Sequence, residues 1–255
     1  MMRLVRFLAP LALVSFLACG AQKAASPPRE TTERIVTHRV ESGETWASLA
    51  ADFYGDEGRA LALARDNGMD ASSEPAAGSA VRIPLSGRDS RRVKSRLEAA
   101  REYNAGLDLV SSGNFAEAAQ RFEEALKLDP SLHDASFNLA VAYEKLGFHA
   151  KAVSILEELV SVAPGDGRYR YALGASLFGA GNLEGAEKAF LSALAASPAD
   201  AKAVFSLGVV LEKRGRTEEA KGRFRQYLSL DPDGPWAGEA RARLEALDRS
   251  GGGGH

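Results

Sequence analysis

The chain has 255 residues, 45% hydrophobic and 26% charged, with a formal net charge of -2. That balance suits one or two packed domains and excludes a disordered or membrane-embedded chain. A nucleic-acid partner is excluded as well, because phosphate binding needs a concentrated positive face and only one short basic stretch is present.

Residues 1–18 read as a secretory signal: Arg3 and Arg6 precede an apolar run of about a dozen residues, shorter than the roughly 20 needed to cross a bilayer. Cys19, the single cysteine, comes next. The segment SFLACG around it resembles the lipobox of bacterial lipoproteins, with Phe16 where that motif usually has leucine. The resemblance implies that Cys19 becomes a lipid anchor and the mature amino terminus. Ordinary cleavage would leave a free thiol with no internal disulfide partner, a liability in an oxidising compartment. Gly20 after the cysteine resembles lipoproteins forwarded to an outer membrane, which implies a cell-envelope protein facing the periplasm. Residues 19–34 are small and polar with Pro27-Pro28, and read as a flexible tether spanning at most about 50 Å.

Residues 35–84 form a first module. IVTHRV alternates as a strand, TWASLAADFYG and GRALALARDNG carry apolar residues at helical spacing, and AVRIP closes as a second strand. Thr45 is an N-cap candidate with Ser48, not Glu, three residues on, short of a full capping box. The order and the segments HRVESGETWASLAADFYGD, Asn67-Gly68 and AGSAVRIP resemble the LysM domain. The resemblance implies a shallow groove for peptidoglycan or a related N-acetylglucosamine glycan. Ser42, Gly43, Glu44 and Thr45 would form one wall, and Asn67, Gly68 and Met69, with Gly78 and Ser79, the other. Taken as residue types alone, the same positions are turn formers of a spacer domain. Residues 85–97, with Arg88, Arg91, Arg92, Lys94 and Arg96, read as a solvated basic linker and helix start.

From residue 98 to 248 the chain repeats. Pro130, Pro164, Pro198 and Pro232 are 34 residues apart, a coincidence of about one in ten thousand at ordinary proline frequency. Gly106, Ala140, Gly174 and Gly208 fill the eighth position, Ala118, Ala152, Ala186 and Ala220 the twentieth, and Phe122, Leu156, Phe190 and Phe224 the twenty-fourth. Small residues at the eighth and twentieth positions let two helices approach, and the large residue at the twenty-fourth is expected to fill the space between repeats. Gly113, Gly147, Gly181 and Gly215 stop the first helix of each repeat, and each proline ends the second. Period and signature resemble the tetratricopeptide (TPR) repeat, although Glu102, Ser136, Arg170 and Val204 stand where that family usually has tryptophan. Pro235-Trp236 opens a capping helix, and residues 249–255 are a flexible tail.

The fold class is therefore mainly α: a small βααβ module, then an α-α solenoid of four TPR-like repeats with a C-terminal capping helix. The resemblance places Tyr103, Phe137, Tyr171 and Phe205, again 34 residues apart, on a concave partner-binding groove, with Asn104 and Asn138 beside two of them. The Lys and Asn clamp of chaperone-tail TPR domains is not reproduced, since Tyr103 and Leu107 occupy two of its places. No catalytic set, metal-ligand spacing or cofactor motif is present, so an enzyme is not expected. The reading is a lipid-anchored envelope scaffold that binds glycan and unidentified envelope proteins. An adaptor of a wall hydrolase or synthase and a pilus or secretion assembly lipoprotein are the alternatives, with a wall enzyme as the rival class.

Overall fold

The computed structural model describes residues 34–70 and 72–251. Cys19, the signal, the tether up to residue 33 and the end of the tail lie outside the described residues. The chain divides into two compact units between Arg101 and Glu102.

The first unit holds strand β1 (Arg34–Arg39), helix α1 (Trp46–Tyr54), a 3-10 turn at Glu57–Arg59, helix α2 (Ala60–Asp66) and strand β2 (Ala80–Leu85). The strands pair antiparallel, Arg34 opposite Leu85 and Arg39 opposite Ala80. Their alternation sends Val81, Ile83 and Leu85 inward onto Trp46, Leu49, Ala50, Phe53 and Leu63. Helix α1 starts with a complete capping box: Thr45 Oγ1 accepts from the Ser48 N–H at 3.0 Å, and the Thr45 N–H donates to Ser48 Oγ at 2.8 Å. Serine thus fills the place usually taken by glutamate, which corrects the expectation of an incomplete box. The helix ends at Gly55 with φ +65°, and the Arg92 guanidinium lies where a Cβ would stand.

The stretch expected to be a solvated linker and helix start ends β2 and opens helix α3 (Gly87–Ser111). Two of its basic side chains, Arg92 and Arg96, meet the end of α1. Arg92 donates to the Tyr54 carbonyl at 3.0 Å, and Arg96 donates to the Asp52 carbonyl and, at 3.0 Å, to its carboxylate. Spaced four apart, the two guanidiniums meet the carbonyl end of α1, where a helix carries partial negative charge. Arg59 lies 3.5 Å over the Tyr54 ring and bonds Asp89 at 3.1 Å. Burial opposes ionisation of Asp89, but hydrogen bonds from Ser86 and Arg59 outweigh it and hold the carboxyl below its ordinary range.

In the second unit α3 is succeeded by α4 (Phe115–Leu128), α5 (His133–Lys145), α6 (His149–Val162), α7 (Gly167–Gly179), α8 (Leu183–Ala196), α9 (Ala201–Lys213), α10 (Thr217–Leu230) and α11 (Ala237–Gly251). The four punctuating glycines all have φ between +74° and +80°, the left-handed turn that a side chain would strain. Each second helix stops two residues before its proline, and Asp129 before Pro130 is extended at φ -142°, ψ 95°.

The twenty-fourth-position ring packs against the eighth position of its own repeat. A Cβ built on Gly174 would lie 2.7 Å from the Phe190 ring, and one on Gly208 2.8 Å from the Phe224 ring. The eighth residue is small because the ring lies against it. Repeat two, with alanine at the eighth position, carries the smaller Leu156. Helix α11 falls in phase with the first helix of a further repeat: Trp236 comes after Phe205 by the 31 residues that separate Arg168 from Phe137. Trp236 stacks on Phe205 with centroids 5.4 Å apart and planes 12° apart. Arg243 bonds Glu212 at 2.7 Å and Lys221 bonds Asp248 at 2.8 Å, so α11 covers the last repeat with both apolar and ionic contacts.

Candidate binding surfaces

In the first unit the loops on either side of the expected glycan groove are stitched together. The Val40 N–H donates to the Ser79 carbonyl at 2.9 Å and the Gly78 N–H to the Val40 carbonyl at 2.7 Å. Trp46 pins the second loop, its indole N–H donating to the Ser73 carbonyl at 2.7 Å and its backbone N–H to Glu74 at 3.0 Å. Ser42 and Gly43 are exposed at the tip of the first loop; Gly68, Met69 and Gly78 are exposed on the second.

Three of the expected glycan residues hold the fold. Glu44 accepts from the Glu41 N–H at 2.7 Å and bonds buried His38 at 2.8 Å, which ties the turn to β1. Thr45 caps α1. Asn67 donates to the Leu63 and Arg82 carbonyls at 2.9 and 2.8 Å, and its Oδ1 accepts from the Arg82 N–H at 2.7 Å. Its amide satisfies the outer edge of β2 as a third strand would. Sequence cannot separate such a clamp from a ligand-binding asparagine, because both need a donor and an acceptor. Asn67→Ala is expected to destabilise the first unit by about 1–2 kcal/mol, with amide exchange accelerating at Arg82; unchanged exchange would refute the clamp.

In the second unit the four expected groove aromatics are not equivalent. Tyr103 and Phe205 are buried, at 8% and 7% exposure, while Phe137 and Tyr171 are half-buried. Tyr103, Tyr171 and Phe205 lean on Phe122, Phe190 and Phe224 of their own repeats, with centroids 5.6–5.8 Å apart. An open four-rung ladder is therefore corrected to two partly open rungs. Asn138, expected to meet a peptide backbone, donates to the Tyr103 hydroxyl at 3.1 Å, while Asn104 is exposed. Burial, and then the charge of Asp134, raise the Tyr103 hydroxyl above its ordinary pKa.

The second residue of the next repeat lies beside the ring at Phe137 and at Phe205, a feature the aromatic pattern alone did not reveal. Trp236 covers Phe205. Arg168 lies 5.8 Å from the Phe137 ring centroid and is bound by Asp166 at 2.7 Å. That hydrogen bond is the main cause that lowers Asp166 and raises Arg168 from their ordinary pKa values. The equivalent residue for Tyr171 is Lys202, exposed and without an ion pair among the described residues.

Two family models, each described as tetratricopeptide repeat, match residues 109–175 and 171–235. Residues 109–235 are tetratricopeptide repeats. Among solved structures, MamA of Desulfovibrio magneticus is similar at 25% identity and a TM-score of 0.52, over 58% of this chain and 83% of that one. A thermophilic TPR protein of Thermus thermophilus is similar at 27% identity and a TM-score of 0.50, over 60% and 83%. YrrB, described as a TPR protein with an unusual peptide-binding site, shares the fold at 21% identity and a TM-score of 0.52, over 64% and 82%. No curated protein matches the chain. The TPR fold is that of a protein-interaction scaffold. Among the described residues no group of three His, Cys, Asp or Glu could hold a metal ion, and no helix is long and apolar enough to cross a membrane.

Proposed function

We propose that this chain is a non-enzymatic cell-envelope scaffold, anchored by lipid on Cys19, that binds peptidoglycan through a LysM-like first unit and docks envelope proteins on its TPR repeats. The observation that carries the docking role is the run of paired helices whose first-helix faces retain half-exposed aromatic and aliphatic side chains across the second and third repeats. The glycan role is supported by the βααβ order and by exposed Ser42, Gly43, Met69 and Gly78 on adjoining loops. The anchor rests on the sequence SFLACG.

Crosslinking in intact cells tests the docking. Tyr171→Ala is expected to cut recovery of the bound protein at least tenfold while helical content persists, since an aromatic anchor typically contributes about 2 kcal/mol or more. Full recovery would place docking elsewhere. Cys19→Ser is expected to move the chain from the membrane to the soluble fraction, and an unchanged distribution would remove the anchor from the proposal. Co-sedimentation of the full chain with purified sacculi, lost on joint Ser42→Ala and Met69→Asp, tests the glycan role without touching the clamps at Thr45 and Asn67.

A further inference from the structure

The faces of α7 and α9 that share one side of the solenoid differ from the rest in charge as well as in openness. Tyr171, Ala175 and Phe178 recur at i, i+4 and i+7 on one stripe of α7, and Val209 holds the place on α9 that Ala175, 34 residues earlier, holds on α7; all four are half-buried. Helix α7 contains no acidic residue, and the one in α9, Glu212, is bound to Arg243. Two exposed lysines bracket the apolar floor. Lys213 sits 5.8 Å from the Phe178 ring centroid. Lys202 occupies, by the 31-residue offset, the place beside Tyr171 that Arg168 takes beside Phe137 and Trp236 beside Phe205. Arg168 is neutralised by Asp166, whereas Lys202 and Lys213 take part in no ion pair among the described residues.

Lys202 and Lys213 are eleven residues apart on one helix, three turns, which sets them on the same stripe about 16 Å from each other. Six residues of extended chain span about 20 Å at ~3.3 Å each and return the end side chains to one face, the flexible lysine stems taking up the difference. An anionic occupant therefore meets a cation at each end and an apolar floor between; Asp200, two residues before Lys202, accepts from the Ala203 N–H at 3.2 Å as the N-cap of α9. A cationic or wholly polar segment gains neither contact.

Resting on the docking role proposed above, we infer that the α7–α9 face takes a short acidic peptide segment whose two carboxylates, six residues apart, bracket apolar side chains. The two lysines hold its ends and Tyr171 and Phe178 its centre. This site needs no terminal carboxylate, because the two cations lie at opposite ends of the floor.

The test is fluorescence anisotropy of the full chain with a labelled, end-blocked heptapeptide Glu-Leu-Phe-Ala-Leu-Ala-Glu, beside the same peptide with Lys at both ends. The acidic peptide is expected to bind, more weakly as salt rises, and Lys202→Glu with Lys213→Glu is expected to weaken it at least tenfold. The same double variant is expected to gain the Lys-flanked peptide, which shows at once that it is folded. Equal binding of both peptides by the native chain, no binding of the acidic one, or binding unaffected by the charge reversal would each overturn the inference. Crosslinked-partner recovery separates it from the docking role. A partner lost in Tyr171→Ala but kept in the charge-reversed chain leaves docking standing and removes the acidic segment; a partner kept in both removes the concave face altogether.

Discussion

Phe190→Ala is expected to destabilise the repeat unit by about 3–5 kcal/mol, the range for emptying an aromatic site in a packed core. Phe190 is 2% exposed, and its ring fills the space over Gly174 that a Cβ would enter at 2.7 Å. The reciprocal change, Gly174→Ala, has two opposing effects. Alanine is the better helix residue by about 1 kcal/mol, but overpacking a rigid ring costs about 1–3 kcal/mol, and the ring cannot swing clear as a flexible chain end could. The net sign is destabilising. Joined to Phe190→Leu, Gly174→Ala recreates the pairing that repeat two already uses, Ala140 with Leu156. The double variant is therefore expected to be more stable than the sum of the single changes by about 1 kcal/mol or more, read from urea unfolding as a double-mutant cycle. Additive effects would show that the eighth and twenty-fourth positions do not share one space.

The repeat was legible because its constraints are local and recur: a left-handed glycine, a helix-ending proline and small residues facing a ring each leave a residue type at a fixed offset. Spacing gives the phase of a side chain but not its partner. The same limit applied to the expected binding residues. Asn67 and Glu44 have the donors and acceptors a glycan site needs, yet they spend them on Arg82, Leu63, His38 and the Glu41 N–H. Tyr103 and Phe205 carry the periodic aromatic signal, but that signal does not show what lies against a ring from the residue 31 positions further along the chain, as Trp236 does on Phe205 and Arg168 beside Phe137. That residue changes from Asp134 to Arg168, Lys202 and Trp236. The basic stretch from Arg88 to Arg96 looked like a solvated linker because the carbonyls that Arg92 and Arg96 meet belong to α1, some 40 residues earlier in the chain. Charge composition carries no trace of such a backbone partner.

Ending the chain at Gly234, and so removing α11, is expected to release the fourth repeat while the second keeps its structure. In a solenoid each repeat is stabilised by its neighbours, and a terminal repeat has one only. Helix α11 supplies that neighbour: Trp236 stacks on Phe205 and tilts 57° against Tyr227, Ala237 and Ala240 are buried, and Leu244 and Leu247 pack on the same core. Without it, Phe205 and the fully buried Tyr227 face water. An aromatic pair alone contributes about 0.5–1.5 kcal/mol beyond the area it buries, and uncovering several large side chains adds about 1.5–3 kcal/mol for each one fully exposed. That sum rivals the whole stability of a small domain, about 5–15 kcal/mol, so α9 and α10 should open far more often than α5 and α6. Amide exchange read helix by helix checks this: protection is expected to fall at least a hundredfold in α9 and α10 and to change little in α5 and α6. A milder variant, Trp236→Ala, is expected to show the same gradient at smaller amplitude. Equal loss of protection in all four helices would mean that the repeats unfold as one block, and unchanged protection in α9 and α10 would mean that the fourth repeat needs no cap.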